Sequence, residues 1–324
     1  MNKKVMRINL EMTKRCILNC RMCYAWKNPA EPQELTKEEW KKFINSFEGI
    51  LGSDIFVTFG GGEPLLKEGV LDIVRLCSEK KYKTIMPTNA FLIDKKMAQE
   101  IAKSGLSILY VSMDSCRAEV HDYLRGRQGA YYNAMKAIDY IAEYRKDVPH
   151  IQIGTLITDK NLDDLIKLAI WACTDKKLSG ITFQAIVSPF YAQDDTAWYT
   201  KSEYQDLWPK DKKKLKNILE ELIKIKERGF KIWNPEAQLR TFINYYENPE
   251  LFIKKGECHL GRDSFGVGST GEVFLCFLME PVNNIREFDF AEIMQSDRAT
   301  NAKELIKQCK KNCQILINCW FEEE

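Results

Sequence analysis

The chain has 324 residues, of which 45% are hydrophobic and 29% are charged. This length exceeds that of one ordinary domain and suits a large barrel with a small appended domain. The formal net charge of +2 and the lack of any long apolar run argue against a nucleic-acid or membrane partner. Eleven cysteines without an export signal indicate a cytoplasmic protein, since a reducing compartment favours metal ligation over disulfides.

Strand-like and helix-like segments alternate over the first 187 residues. The predicted strands span residues 5–12, 54–59, 83–86, 106–113, 150–157 and 180–187. The predicted helices follow the N-cap Thr36 or span residues 70–80, 95–103, 130–144 and 162–173. Strand–helix units at this spacing predict parallel strands joined by right-handed crossovers. Six such units predict an α/β fold, a partial (β/α)6 TIM-like barrel that lacks two units of the closed form.

The pattern changes after residue 187. Residues 188–210 form a predicted loop whose aromatic part either lines a substrate pocket or covers the open side of the barrel. A lysine-rich amphipathic helix is predicted over 211–228, and short segments that carry cysteines follow from about residue 230. The sequence therefore predicts two domains, a barrel with its following helix over 1–229 and a small cysteine-bearing domain over 230–324.

Three cysteines follow the first predicted strand at C-x3-C-x2-C spacing: Cys16, Cys20 and Cys23. A structural zinc site uses four ligands, and a structural iron–sulfur cluster usually has one thiolate for each iron. Three thiolates leave one iron of a four-iron cluster without a protein ligand, and that open position is available for chemistry. The alternative is a loop of buried or zinc-bound thiols.

This cysteine run resembles the cluster motif of the radical S-adenosylmethionine (SAM) enzymes. The resemblance implies a [4Fe–4S] cluster whose open iron is chelated by the amine and carboxylate of SAM. It also implies an external electron donor such as ferredoxin or flavodoxin. Reductive cleavage of SAM would then give a 5′-deoxyadenosyl radical that abstracts hydrogen from a substrate C–H bond.

A glycine run ends the second predicted strand, in the sequence Gly60-Gly-Gly-Glu63-Pro. Functional residues of parallel α/β folds lie at the carboxyl ends of strands, so this run should face the cysteine loop. The motif resembles the segment of the family that holds the amino group of SAM. The resemblance assigns that role to Gly61, Gly62 and Glu63, whereas a glycine run by itself is more often a turn.

Other residues match the SAM pocket of the family. Ser112 and Arg125 match positions that contact the methionine end of SAM, Arg125 through a guanidinium fork on its carboxylate. The alternative for Arg125 is a surface position on a capped helix. Asn89 is a further candidate for this pocket, and Ile157 and Gln184 are candidates for adenine contacts.

The C-terminal cysteines form a second pattern. Cys258 and Cys276 flank a glycine in a C-x12-G-x4-C arrangement, and Cys309, Cys313 and Cys319 follow at C-x3-C-x5-C spacing. This pattern resembles the auxiliary-cluster domains called SPASM and twitch. Five cysteines are too few for two complete clusters, so the resemblance implies the twitch form with one auxiliary [4Fe–4S] cluster. Which two of the last three cysteines complete it stays open, and a zinc knot is the alternative.

One isolated cysteine has a candidate catalytic role. Cys116 follows the end of the fourth predicted strand and could donate a hydrogen atom to a substrate radical, although a buried spectator is the alternative. Cys77 and Cys173 lie in helical patterns and are predicted core residues. The three histidines share no metal-ligand spacing and receive no metal role.

The substrate is predicted to be a peptide, modified by epimerisation, crosslinking or thioether formation. The alternatives are a dehydrogenase or epimerase of a sugar-like or other polar metabolite, and a non-catalytic, zinc-stabilised binding protein. The first predicted strand begins within ten residues of the N-terminus, which argues against a preceding leader-recognition domain. A short precursor peptide could still bind the barrel directly.

Overall fold

The structure is a computed structural model that describes residues 5–27, 33–47, 51, 54–144, 149–189, 197–251, 258, 260–310 and 313–318. A sheet of nine strands runs through these residues in the order β6-β5-β4-β3-β2-β1-β7-β8-β9. The first six strands are parallel to one another and occur in chain order. They are β1 (Met6–Thr13), β2 (Ile55–Gly61), β3 (Lys83–Thr88), β4 (Ile108–Ser112), β5 (His150–Ile157) and β6 (Ile181–Ala185).

Helices connect these strands as the sequence predicts. They are α1 (Lys37–Asn45), α2 (Val70–Glu79), α3 (Lys95–Lys103), α4 (Ala118–Arg125), α5 (Ala130–Ala142) and α6 (Leu165–Thr174). Thr36 and Glu39 form the predicted capping box at the start of α1. The predicted helix at 162–173 instead begins as a 3-10 helix, Asp159–Asp164, because Thr158 and Asn161 cap that turn first. The strand–helix alternation confirms the partial barrel.

The two faces of the sheet differ in polarity. On β1, Ile8, Leu10 and Met12 are fully buried in the core, whereas the alternate residues Arg7 and Glu11 are half-buried. Successive side chains on a strand point to opposite faces, so one face packs in the apolar core and the other carries polar groups. The second face therefore supplies polar side chains to the inside of the barrel.

The C-terminal region continues the barrel sheet. Strand β7 (Ser264–Val267) pairs in parallel with β1, and β8 (Glu272–Phe274) and β9 (Asn283–Asn284) follow in antiparallel order. Three further helices and the predicted lysine-rich helix complete the fold: α7 (Lys212–Glu227), α8 (Glu236–Glu247), α9 (Phe290–Gln295) and α10 (Asp297–Lys307). Short segments were expected after residue 230, but α8 and α10 are regular helices. The domain boundary at 229/230 stays a prediction.

Other groups cover the outer edge of β6. The main chain of Ile181 pairs with residues around Ile232, since its N–H donates to Lys231 O (3.1 Å) and its carbonyl accepts from Trp233 N (2.9 Å). The next two residues that face outward are Phe183 and Ala185. The side-chain amides of Asn234 and Asn318 form hydrogen bonds with their main-chain N–H and C=O groups. An edge strand covered in this way is protected from pairing with other chains. Among the described helices, none is long and apolar enough to span a membrane.

Candidate active site

One cavity of about 180 Å³ lies at the carboxyl ends of the six barrel strands. It gathers all three cysteines of the N-terminal motif with five of the six predicted SAM-binding residues. Its lining is Cys16, Cys20, Met22, Cys23, Ala25, Gly61, Gly62, Pro87, Thr88, Asn89, Ser112, Arg125, Leu156, Ile186, Val187 and Ser188. The barrel topology thus joins residues that are far apart in sequence.

The cysteine loop is seated on the C-terminal end of α4. The N–H of Arg21 donates to Leu124 O over 3.0 Å, and Arg127 donates from Nη1 to Ile17 O over 3.0 Å. Gly126 ends α4 with φ +63°, and a Cβ there would overlap the carbonyl of Asn19. A larger residue would therefore push the loop away, so Gly126 sets how closely the helix and the loop approach.

The three thiols of this loop suit a metal cluster. Burial raises the pKa of Cys16, Cys20 and Cys23, and that of Cys20 reaches about 12. Each thiol is therefore neutral until a cation compensates for its negative charge, which bound iron would do. Because all three sulfur-bearing residues line one cavity, they fit a cluster with one open iron.

The glycine run is packed against the start of the cysteine loop. The N–H of Gly62 donates to Thr13 O (2.8 Å), and that of Glu63 donates to Arg15 O (2.8 Å). A Cβ on Gly62 would overlap the carbonyl of Arg15, so only glycine permits this approach. The contact to SAM assigned to Gly61 and Gly62 stays a prediction.

Glu63 lies behind the cavity and forms hydrogen bonds with residues of its wall. Its carboxylate accepts hydrogen bonds from Leu65 N (3.3 Å), Thr88 Oγ1 (2.8 Å) and Asn89 N (2.9 Å). Burial raises the pKa of Glu63 to about 7, although these donors oppose the shift. Nδ2 of Asn89 lies 3.8 Å from Cys16 Sγ, so Glu63 fixes a residue that contacts a predicted iron ligand.

Arg125 is held between a carboxylate and a cysteine. Its Nε lies 2.8 Å from Oδ2 of the fully buried Asp114, and its guanidinium lies beside Cys20. Asp114 accepts from Leu156 N (3.0 Å), and its own N–H donates to Nδ1 of His121 (3.1 Å). The structure thus places Arg125 inside the cavity rather than on the surface.

Sequence reasoning missed some of these residues. Asp114 and His121 lie between Ser112 and Arg125 in the sequence but received no role, because their contacts form only after β4, α4 and β5 pack together. Burial lowers the pKa of His121 to about 4, which keeps Nδ1 available as an acceptor. Ile186, Val187 and Ser188 line the cavity at the end of β6 and lack a sequence motif of their own.

Besides Glu63, three predicted residues of this site are absent from the cavity lining. Cys116 is half-buried beside Asp164 and Lys167, so the structure does not bring it to the other cysteines. For adenine, Leu156 lines the cavity in place of its neighbour Ile157, as strand alternation requires. Gln184 is exposed.

The C-terminal cysteines are carried by separate segments. Cys276 follows β8, Cys309 follows α10, and Cys313 precedes a short 3-10 helix, Gln314–Asn318. Cys258, Cys276 and Cys313 are half-buried, whereas Cys309 is exposed. Cys319 lies outside the described residues. Their thiols have the donor chemistry of an iron–sulfur site, and the choice among the last three stays a prediction.

Two family profiles match the chain. That of the radical SAM superfamily matches residues 10–172, and that of the SPASM iron–sulfur cluster-binding domain matches residues 258–320. These matches confirm the resemblance seen in the N-terminal and C-terminal cysteine motifs.

Individual relatives and solved structures agree with these profiles. The AdoMet-dependent heme synthase of Methanosarcina barkeri is 28% identical over 315 residues, which cover 94% of this chain and 86% of that protein. The PqqA peptide cyclase of Bradyrhizobium diazoefficiens is 28% identical over 168 residues, 50% of this chain and 42% of the relative.

The fold is similar to that of SuiB from Streptococcus suis bound to S-adenosylmethionine (TM-score 0.69, 18% identity, 97% of this chain and 74% of SuiB). It is also similar to SuiB bound to precursor peptide SuiA, with a TM-score of 0.67, 18% identity, and coverage of 97% and 73%. The profile match over half of the chain decides the family. The chain belongs to the radical SAM superfamily and is an enzyme of that class, with a [4Fe–4S] cluster, SAM and a C-terminal iron–sulfur domain.

Proposed function

We propose that the protein cleaves SAM reductively in the cavity at the strand ends and abstracts hydrogen from a peptide substrate. One observation carries this proposal: the three cysteines and Gly61, Gly62, Asn89, Ser112 and Arg125 line a single cavity. When bound, the reduced cluster supplies the electron that splits SAM into methionine and a 5′-deoxyadenosyl radical. Such chemistry belongs to the cofactor, and the protein holds and orients the reactants.

The chain's own residues bind and orient SAM. Cys16, Cys20 and Cys23 would hold the cluster and leave one iron open to SAM. The guanidinium of Arg125 presents a fixed positive charge that suits the SAM carboxylate, because Asp114 on one side limits its motion. Ser112 and Asn89 add hydrogen-bonding groups on the same cavity wall.

An external electron donor is needed, and ferredoxin or flavodoxin is proposed. The auxiliary cluster is proposed to be held by Cys258, Cys276 and two of Cys309, Cys313 and Cys319. The protein's part in SAM cleavage and in hydrogen abstraction is to hold the clusters and to orient SAM and the substrate.

The peptide substrate is supported by relatives that act on peptides. The PqqA peptide cyclase matches half of this chain, and SuiB, with the same fold, has been solved with a precursor peptide.

A second candidate substrate is an iron-porphyrin precursor of heme. The relative that matches 94% of this chain is an AdoMet-dependent heme synthase, whereas the peptide cyclase matches only 50%. A porphyrin bearing carboxylates would suit a polar barrel interior.

The test uses the full chain, reconstituted anaerobically with iron and sulfide and supplied with SAM and dithionite. We expect 5′-deoxyadenosine, and a larger yield with the correct substrate. Candidate substrates are peptides encoded beside the gene and iron porphyrins that carry propionates, each deuterated at its aliphatic carbons. Deuterium in 5′-deoxyadenosine with a peptide alone supports the peptide proposal, and with the porphyrin alone it overturns that proposal. Failure to form 5′-deoxyadenosine under any condition would refute SAM cleavage itself.

A further inference from the structure

The short 3-10 helix Gln314–Asn318 lies directly between two predicted ligands of the auxiliary cluster, Cys313 and Cys319. Its polar side chains contact the barrel. Asn318 donates from Nδ2 to Ala185 O (2.6 Å) and accepts at Oδ1 from Ala185 N (2.8 Å). Gln314, which is buried, accepts at Oε1 from Trp198 Nε1 over 2.9 Å. The carbonyl of Ile317 accepts from Gln238 over 3.0 Å.

Asn318 acts on β6 as a neighbouring strand would. A carboxamide carries one acceptor and an N–H donor, so it can satisfy the N–H and C=O of one residue at the same time. Asn234 makes the same pair of bonds with Phe183, to its N–H over 2.7 Å and to its carbonyl over 2.8 Å. The two asparagines therefore serve outward-facing residues two positions apart, which is the spacing of a β-ladder.

The two asparagines differ in their distance from the cavity. Ala185 is the last residue of β6, and the next three residues, Ile186, Val187 and Ser188, line the cavity. Tyr246 and Tyr245 hold Ile186 as well, through its N–H (2.9 Å) and its carbonyl (3.0 Å). Tyr245 also donates to Gln314 over 3.3 Å. The helix that follows Cys313 is thus hydrogen-bonded to Ala185, next to the wall where SAM and substrate are proposed to lie, and to Tyr245, which holds Ile186 of that wall.

We infer that Asn318 is a positioning residue, which transmits the order of the auxiliary cluster's ligand segment to the cavity wall at the end of β6. The inference rests on the proposed function, since it assumes a cluster at Cys313. Ligation by Cys313 fixes the start of the five-residue helix, which then holds Ala185 through Asn318. Loss of the cluster frees the helix, and residues 186–188 lose one of their restraints. The auxiliary cluster then has a structural effect on the first site that does not require electron transfer.

The test measures amide hydrogen exchange in the full chain, prepared anaerobically with both clusters. Asn318→Leu removes both hydrogen bonds, while Cys313→Ser retains the Asn318 side chain and replaces the proposed ligand. In both variants we expect residues 185–188 to exchange about tenfold faster than in the wild type, as loss of a net hydrogen bond predicts. Asn234→Leu is the matched control, because it removes the same pair of bonds from Phe183. We expect faster exchange at Phe183 in that variant and wild-type rates at residues 186–188.

Two outcomes would overturn the inference. Wild-type exchange at residues 185–188 in Cys313→Ser would show that the helix holds β6 without its cysteine. Equal acceleration at 186–188 in Asn234→Leu would show general loosening of the edge. Failure of the proposed function is distinguishable, because it appears as missing iron or missing 5′-deoxyadenosine. Even without iron or 5′-deoxyadenosine, the hydrogen-exchange rates of Asn318→Leu and the wild type can be compared at residues 185–188.

Discussion

The N-terminal and C-terminal cysteines are held by the fold in different ways. The first three occupy one loop that rests on α4 and on the glycine run, and all three line one cavity. The later cysteines follow β8, follow α10 and precede the helix at 314–318, so separate elements carry them. The barrel therefore arranges the first set through its own main-chain contacts, whereas the second set depends more on whatever its thiols bind.

This difference has an energetic consequence. A site assembled by the folded scaffold can lose its metal and keep its shape. A site whose ligands come from separate short segments gains order from the metal, so metal binding and folding are coupled there. We therefore expect removal of the first cluster to abolish chemistry with little loss of structure, and removal of the second to loosen the C-terminal region.

The largest expected effect is that of replacing Cys16, Cys20 and Cys23 together by Ala. SAM cleavage should stop because no cluster remains at the first site, and about four irons per chain should be left on the one-cluster assignment. Iron and sulfide content and 5′-deoxyadenosine yield check this. Cys173→Ala is the control, because that half-buried thiol lies on α6 and should leave both values unchanged. A triple variant that still forms 5′-deoxyadenosine would refute the assignment of the catalytic cluster.

The next effect is that of Cys276→Ala. This variant should lose about four irons per chain and keep the first cluster and SAM cleavage. Its C-terminal region should become protease-sensitive, as metal-coupled folding predicts, while the barrel resists. Limited proteolysis with mass spectrometry locates the cuts, which we expect beyond α8, since Tyr246 on that helix bonds to barrel residues Ile157 and Ile186. Zinc in place of iron at this site would contradict the twitch assignment and leave the barrel chemistry intact.

A pH-dependent effect concerns the residues that support the first three cysteines. Burial lowers the pKa of His121 to about 4, below the unfolded value of about 6.5. The unfolded chain then binds more protons between these values, so folding stability falls as the pH drops from about 6.5 to 4. The free energy of unfolding falls by about 3 kcal/mol over this range. The charge of Arg125 adds to the lowering of the His121 pKa, and those of Asp114 and Asp122 oppose it.

The measurement compares urea unfolding of the wild type and His121→Gln between pH 4 and 7. We expect the wild type to lose about 3 kcal/mol more than the variant as the pH falls. His150→Gln is the control, because His150 is exposed at the start of β5. Parallel pH profiles for wild type and His121→Gln would mean that folding does not lower the pKa of His121.

Local patterns predicted much of the fold and of the first site. Alternating segments that end in turns located all six barrel strands, and the cysteine spacing and the glycine run located two walls of the cavity. Both signals lie within a few adjacent residues, so the sequence displays them directly.

The missed features depend on contacts between distant segments. Strand β7 has only four residues and pairs with β1 more than 250 positions away, so no local pattern reveals the pair. Asn234 and Asn318 cover β6 through side chains, which hydrophobic periodicity does not detect. Glu63 was assigned to SAM by resemblance, and its bonds to Thr88 and Asn89 appear only when β2 and β3 are aligned.

Glu63→Gln tests whether Glu63 contacts SAM directly or only positions other residues of the cavity. The change replaces a buried carboxyl group that accepts three hydrogen bonds, so SAM affinity should fall by about 1.5–3 kcal/mol with the cluster intact. If Glu63 acts through Asn89, the double variant Glu63→Gln/Asn89→Ala should bind SAM no more weakly than Asn89→Ala alone. Additive losses would instead support a direct contact to the ammonium group. Calorimetric titration of SAM gives these affinities, and the exposed Glu68→Gln serves as the control.

The smallest expected effect concerns a contact between the C-terminal region and the barrel. Arg286, which follows β9, lies with Nε 2.6 Å from Glu39 Oε1 on α1 and donates from Nη2 to Gln33 O over 2.9 Å. About a third of each charged side chain is exposed, 33% and 34%, so water and salt weaken the pair. Arg286→Ala should therefore cost at most about 1 kcal/mol, and less in about 1 M salt.

Iron content of Arg286→Ala decides what this contact means for the two sets of cysteines. If the auxiliary cluster orders the C-terminal region, the variant should keep all of its iron, because one surface ion pair contributes little beside metal ligation. Arg240→Ala is the matched control, since Arg240 pairs with Glu236 within α8, 2.6 Å apart, and does not join the two regions. Loss of about four irons in Arg286→Ala alone would contradict the comparison. It would mean that contacts with α1, rather than the cluster, hold the C-terminal cysteines in place.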